Sequence, residues 1–151
     1  MGGHITFQNI LVGANGTPES DHAVKIAISL AKSLQARITV IGVIAPLSPE
    51  TQAEGVGLEE ASSARERLEK QLYSAKATAD ELQVNLRTEI MEGDPEKKIE
   101  EAAERESTDL IVVGHRDIAR VRRWLEGSTS ENLVKSSPTS VLVVHDEHSG
   151  Q

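Results

Sequence analysis

Apolar residues along the chain follow two alternating periods. Ile10-Leu11-Val12 is a short continuous apolar run ending in Gly13-Ala14-Asn15-Gly16, the pattern of a strand buried on both faces. Thr17 and Pro18 then supply a cap and a first-turn residue for a helix. Its single apolar stripe is Ala23, Ala27, Leu30, Ala31 and Leu34. Arg37 to Ile44 is rich in β-branched residues and reads as a second strand. Pro46, Pro49, Gly55 and Gly57 make the segment from Ala45 to Gly57 a predicted loop. Three- and four-residue spacing of Ala61, Ala64, Leu68, Leu72, Ala75, Ala79 and Leu82 predicts a long helix from Leu58 to about Gln83. Val84, Leu86, Thr88 and Ile90 alternate with polar residues, as in a strand that is half-buried or near an edge. Gly93-Asp94-Pro95 is a turn and helix start, and the helix runs to about Ser107 with Ile99, Ala102 and Ala103 on one side. Leu110 to Val113 is another fully apolar strand. Gly114 to Gly127 is basic and irregular, Ser128 to about Ser136 is a last helix stopped by Pro138, and Val141 to Val144 is a final strand.

Strand and helix thus alternate through five strands. That order predicts a three-layer α/β/α sandwich with a five-stranded parallel sheet, doubly wound and Rossmann-like, in a single domain spanning 1–151. Ligands of such sheets sit beyond the carboxyl ends of the strands. The places to look are therefore Gly13–Thr17, Val43–Pro46, Gly93–Pro95 and Gly114–Ser128.

Composition narrows the partners. Of 151 residues only Phe7, Tyr73 and Trp124 are aromatic, so the core must be aliphatic. A formal net charge of -8 argues against nucleic acid and anionic membranes as partners. With no cysteine, disulfide scaffolds, thiolate zinc sites and Cys nucleophiles are excluded. No apolar run is long enough for a transmembrane helix, and Met1-Gly2-Gly3-His4 does not open a secretory leader. The expected location is cytoplasmic.

Gly114-His115-Arg116-Asp117, followed later by Gly127-Ser128-Thr129-Ser130, carries the most chemistry. A Gly-Ser step at a helix start offers backbone N–H groups and hydroxyls to an anion, a phosphate cradle. The same residues also fit a plain turn with an N-cap. Arg116, Arg120, Arg122 and Arg123 form a basic island that reads either as a phosphate clamp or as a solvated loop. Trp124 among them reads as a packing anchor. His115 follows a strand end and is read as a loop or pocket residue. The five histidines show no metal-ligand spacing. The segment from Glu92 to Asp109, with eight acidic and three basic residues, is a solvated face. No Gly-x-x-x-x-Gly-Lys-Ser/Thr loop and no Gly-x-Ser-x-Gly elbow occurs, which excludes P-loop NTPases and hydrolases of the elbow type. Asn15 in the first turn, where an acidic pair is required, excludes a response-regulator receiver.

Taken together, these segments resemble the universal stress protein family over nearly the whole chain. The resemblance rests on Ile10-Leu11-Val12-Gly13-Ala14-Asn15-Gly16-Thr17, on Gly114 spaced from Gly127-Ser128 as in that family's ATP-binding branch, and on Ser136-Ser137-Pro138-Thr139-Ser140-Val141-Leu142-Val143-Val144. It implies an adenine nucleotide alpha hydrolase-like fold and an adenine-nucleotide pocket. By position, Gly13, Ala14 and Asn15 would lie near ribose and adenine. Val43 would meet the base through its backbone. Gly114, His115, Arg116, Gly127, Ser128, Thr129 and Ser130 would surround the phosphates, with Gly93 close by. The implied ligand is ATP or a related adenine nucleotide, with Mg2+ as an open companion. The resemblance also implies a homodimer paired through Val141–Val144, an apolar edge that would otherwise invite aggregation.

Two residues depart from the family pattern. Asp117 stands where the signature has its second glycine. At about 6 Å and an effective dielectric near 20, a carboxylate and a phosphate charge repel by roughly 3 kcal/mol, unless a metal lies between them. Asn15 replaces the Asp usual in ATP binders, yet can still hydrogen-bond a ribose hydroxyl. The expected function is a small regulatory stress protein switched by nucleotide, with hydrolysis slow or absent. The rival is a nucleotide-independent dimeric interaction module.

Overall fold

The computed structural model describes residues 6–46, 49–54, 57–117, 119 and 139–145. The elements are β1 (Asn9–Ala14), α1 (Pro18–Leu34), β2 (Arg37–Ile44), α2 (Pro49–Glu54), α3 (Leu58–Leu82), β3 (Leu86–Glu92), α4 (Pro95–Arg105), β4 (Leu110–Gly114) and β5 (Ser140–Val144). All strand pairs are parallel, in the order β3-β2-β1-β4-β5. Chain order reverses at β1, which pairs with β2 on one side and β4 on the other. The fold is the expected three-layer, Rossmann-like sandwich. The helix expected over 128–136 lies outside the described residues.

Period-two alternation splits the aliphatic residues between two cores. Ile10, Val12, Ile38, Val40, Leu110 and Val112 pack against Ala23, Ala27 and Ala31 of α1 and Leu68, Leu72, Ala75 and Ala79 of α3. Leu11, Ile41, Ile111 and Val113 face the other way, against Ala102 and Ala103 of α4. Small alanines on the buried helix faces bring the helix axes close to the sheet. Gly42 serves the same end, since a Cβ there would lie 2.6 Å from the Leu68 Cδ2 atom.

Three expectations need correction. The segment 45–57 is not all loop: Pro49, which fits a first helical turn, opens the short helix α2. Val84 does not belong to β3, which begins at Leu86. Gln83 at φ 59° ends α3 in left-handed geometry, and the Val84 N–H turns back to the Ala79 carbonyl at 2.8 Å. Val84 is buried as the apolar residue of a Schellman motif. Finally, the stretch after Gly114 is not irregular at its start, where His115–Asp117 form one 3-10 turn.

β3 lies at one edge of the sheet, as its alternation predicted. Arg87 and Glu89 on it are tied to Arg105 and Glu106 at the end of α4. Charged side chains of this kind discourage edge-to-edge pairing. β5 occupies the opposite edge and is apolar and half-buried over Val141–Val144.

Candidate functional site

The turn after β1 is built by hydrogen bonds that its sequence dictates. Thr17 caps α1 by accepting from the Ser20 N–H at 3.2 Å. Asn15 Oδ1 accepts from the Thr17 N–H at 3.1 Å and from its hydroxyl at 2.5 Å, an Asx-type turn. The Asn15 N–H in turn donates to Ser20 Oγ at 3.2 Å. Gly16 takes φ +82°, and a Cβ there would sit 3.2 Å from the Leu68 backbone nitrogen. The turn therefore rests directly on α3, a contact that only glycine allows in this geometry.

From α3, the buried Gln71 reaches into that turn. Its Oε1 accepts from the Gly16 N–H at 3.0 Å and from the Ser20 hydroxyl at 3.1 Å. Its Nε2 donates to the Thr17 carbonyl at 3.0 Å.

A cavity of about 310 Å³ opens beside this turn, above the carboxyl ends of β1 and β4 where the strand order reverses. Gly13, Ala14, Asn15, Val43, Gly114 and Arg116 all line it. Leu11, Ile41, Ile111 and Val113 give it an apolar floor, and Pro95 and Ile99 close one side. A Cβ built on Gly114 would meet no atom within 4 Å, so the described packing leaves room over that residue. Arg116 Nη1 lies 3.2 Å from Glu19 Oε1 in the first turn of α1, and both residues border the cavity. That ion pair is solvent-exposed, so it holds Arg116 weakly.

A second cavity of about 360 Å³ lies on the other flank of Asn15 and Val43. Ile44, Ala61, Ala64 and Leu68 make it largely apolar.

Other expected site residues lie elsewhere. Gly93, at φ +141°, makes the turn between β3 and α4 and donates to the Ile44 carbonyl at 3.0 Å. It is not among the described residues lining the cavity at the ends of β1 and β4; Pro95, two residues on, is. Neither is His115, whose ring stacks on that of His145 at 5.4 Å between centroids. Gly127, Ser128, Thr129 and Ser130, with the arginines after Arg116, lie outside the described residues. Among the described residues no group of three or more carboxylate or imidazole side chains is placed to hold a metal, and no helix is long and apolar enough to cross a membrane.

Sequence reasoning missed Glu19, Ser20, Gln71 and Ile99. A signal for Gln71 exists: it is a polar residue within the apolar stripe of α3, between Leu68 and Leu72. Ser20 follows the capping Thr17 by three residues on the face that carries Ala23.

The sequence pattern that defines the Universal stress protein family matches residues 6–145. The chain belongs to the universal stress protein family. A universal stress protein of Methanocaldococcus jannaschii is 33% identical over 144 residues, covering 94% of this chain and 84% of the relative. The universal stress protein UspA from Lactobacillus plantarum superposes with a TM-score of 0.69 at 25% identity, covering 93% of this chain and 99% of its own. A universal stress protein solved in complex with cAMP gives a TM-score of 0.63 at 26% identity, again covering 93% and 99%. The universal stress protein described here shares their sheet and places a cavity where sheets of this topology take ligands.

Proposed function

We propose that this universal stress protein binds an adenine nucleotide, ATP or a close relative, in the cavity at the carboxyl ends of β1 and β4. The observation that carries the reading is the convergence on one cavity of Gly13, Asn15, Val43, Gly114 and Arg116, residues from three strand ends far apart in sequence. A volume of about 310 Å³ falls at the lower end of small-ligand pockets, roughly 300–1,000 Å³. The cAMP complex of a relative at 26% identity supports an adenine nucleotide as the ligand class.

The donor set fits such a ligand. Because Asn15 Oδ1 is engaged by Thr17, its amide nitrogen is the end available to a ribose hydroxyl. Gly13 and Gly114 let a ligand approach the backbone. Arg116 can exchange its exposed partner Glu19 for a phosphate, which it binds with two parallel N–H donors. Gly127, Ser128, Thr129 and Ser130 are assigned to the phosphates on the family signature. Nucleotide occupancy would act as a switch in a cytoplasmic regulatory protein, with hydrolysis slow or absent. The chain would form one domain over 1–151 and a homodimer through β5.

Calorimetric titration with ATP, with and without magnesium, and with cAMP tests this. Binding that is weakened by Ser128→Ala and strengthened by Asp117→Gly is the expected result. Absence of heat at millimolar ligand overturns the reading.

The second reading, a nucleotide-independent dimeric module, is favoured by Asp117 at the signature's second glycine and by the Glu19 carboxylate in the cavity wall. Each adds a negative charge near the proposed phosphates. The same titration decides between them.

A further inference from the structure

We infer that Gln71 of α3 is a positioning residue for nucleotide binding, holding the Asn15–Thr17 turn in its binding shape. It rests on the nucleotide reading of the cavity at the ends of β1 and β4 and goes beyond it by bringing a residue outside the cavity wall into the site.

Three observations converge. Gln71 is 9% exposed and makes three hydrogen bonds to the turn, spanning 51 to 55 residues of sequence. Both ends of its amide are used, so a residue with only acceptors or only donors cannot replace it. The other hydrogen bonds of the turn among the described residues are local, between residues 15 and 21. Gly16 at φ +82° is a flexible position, and its N–H has Gln71 Oε1 as its partner. Asn15 reaches the same network through Ser20 Oγ, which accepts the Asn15 N–H and shares its one proton between Gln71 Oε1 and the Thr17 carbonyl, both at 3.1 Å. Asn15 is thus fixed on its backbone side by a relay ending at Gln71, and on its side-chain side by Thr17.

Without Gln71, the Gly16 N–H and the Thr17 carbonyl would each lose a buried or half-buried partner, and the turn would sample other geometries before any ligand arrives. Affinity falls when the competent shape is only partly populated.

Gln71→Met keeps the side-chain length while removing all three bonds, and Gln71→Glu keeps the acceptor for Gly16 and Ser20 while losing the donor to Thr17. Amide hydrogen exchange at Gly16 and calorimetric affinity for ATP and cAMP are measured in parallel. Gln71→Met should exchange the Gly16 amide about ten-fold faster and bind nucleotide about ten-fold more weakly, equivalent to roughly 1.4 kcal/mol. Gln71→Glu should recover part of both. Unchanged affinity in Gln71→Met beside a binding wild type overturns the inference alone, as does lost affinity with unchanged Gly16 exchange. A wild type that binds no nucleotide removes the cavity reading and the inference with it. Should Gln71→Met fail to fold, Ser20→Ala, which breaks the relay at Asn15, must also weaken binding; wild-type affinity in that variant overturns the inference.

Discussion

Adding one methyl group at Gly42 and at Gly114 should have opposite consequences. At Gly42 in β2, a Cβ would lie 2.6 Å, 2.8 Å and 3.0 Å from the Cδ2, Cδ1 and Cγ atoms of Leu68. Leu68 is itself 2% exposed, so the clash must be absorbed inside the core. Overpacking of this kind costs about 1–3 kcal/mol, while replacing a strand glycine gives back roughly 0.5–1 kcal/mol of chain entropy. Leu68 also lines the second cavity and can shift towards it, which favours the lower half of the range. The net loss should be up to about 1.5 kcal/mol, or up to roughly 6 °C in melting temperature at this chain length.

At Gly114 the same Cβ would meet no atom of the described residues within 4 Å, and the backbone is not left-handed. Only the entropic gain applies, so Gly114→Ala should be more stable than wild type by about 0.5 kcal/mol. Its methyl group would project where the ligand is proposed to approach, so nucleotide affinity should fall by about ten-fold. Thermal unfolding and calorimetry on the two variants read both quantities. Gly42→Ala should lose stability and keep affinity, and Gly114→Ala the reverse. Stability shifts of the same sign, or wild-type affinity in Gly114→Ala, would refute the assignment of one glycine to packing and the other to the ligand.

Gln83→Gly should stabilise the protein by about 0.5 kcal/mol, because Gln83 holds φ 59° at an exposed helix end where glycine is unstrained; a lower unfolding midpoint in urea would contradict this. Arg116→Ala should leave stability within about 0.5 kcal/mol, since its ion pair with Glu19 is exposed, yet weaken nucleotide binding. The weakening should shrink as salt rises, and a salt-independent loss would point away from phosphate contact. For the dimer, sedimentation at micromolar concentration should show two chains. The Ser140 N–H donates to the Asp109 carbonyl on the β4 side, so by strand alternation the Val141 and Val143 N–H groups face the outer edge. Val143→Pro should therefore give a folded monomer, whereas Leu142→Pro should disrupt the sheet; a Val143→Pro dimer would exclude pairing through this edge.

The parts of the fold legible in the sequence are those where one physical signal acts alone. Ile10-Leu11-Val12 and Leu110–Val113 are strands buried on both faces, so every position had to be apolar and no competing pattern existed. Thr17-Pro18 at the start of α1 combined a cap with a proline suited to the first turn, and the helix begins at Pro18. Helix ends were less legible because none of α1, α3 and α4 ends on glycine. Gln35, Gln83 and Ser107 take the left-handed conformation instead. The next residue in each case, Ala36, Val84 or Thr108, is buried and sends its N–H back five residues along the helix. Val84 accordingly looked like the first residue of a strand, when its burial belongs to the helix end. In 45–57, proline and glycine outweighed the weak pattern of a six-residue helix whose Pro49 is itself a helix-start residue.

The candidate site divides along the same line. Residues that follow apolar strands, such as Asn15, Val43 and Gly114, could be placed because strand ends are legible. Gln71 could not, because it acts on the turn across 55 residues of sequence, and its importance lies in a contact between a helix face and a loop. Yet it left a trace. A polar side chain at a stripe position of α3 is unfavourable to bury unless both its amide groups are satisfied. Here the partners are the Gly16 N–H, the Ser20 hydroxyl and the Thr17 carbonyl. A buried amide whose partners all belong to one loop is as much a statement about that loop as about the helix carrying it. The β1–α1 turn is therefore held by α3 as well as by its own Asx geometry, and a variant that moves α3 should be felt at Asn15 as well as in the sheet.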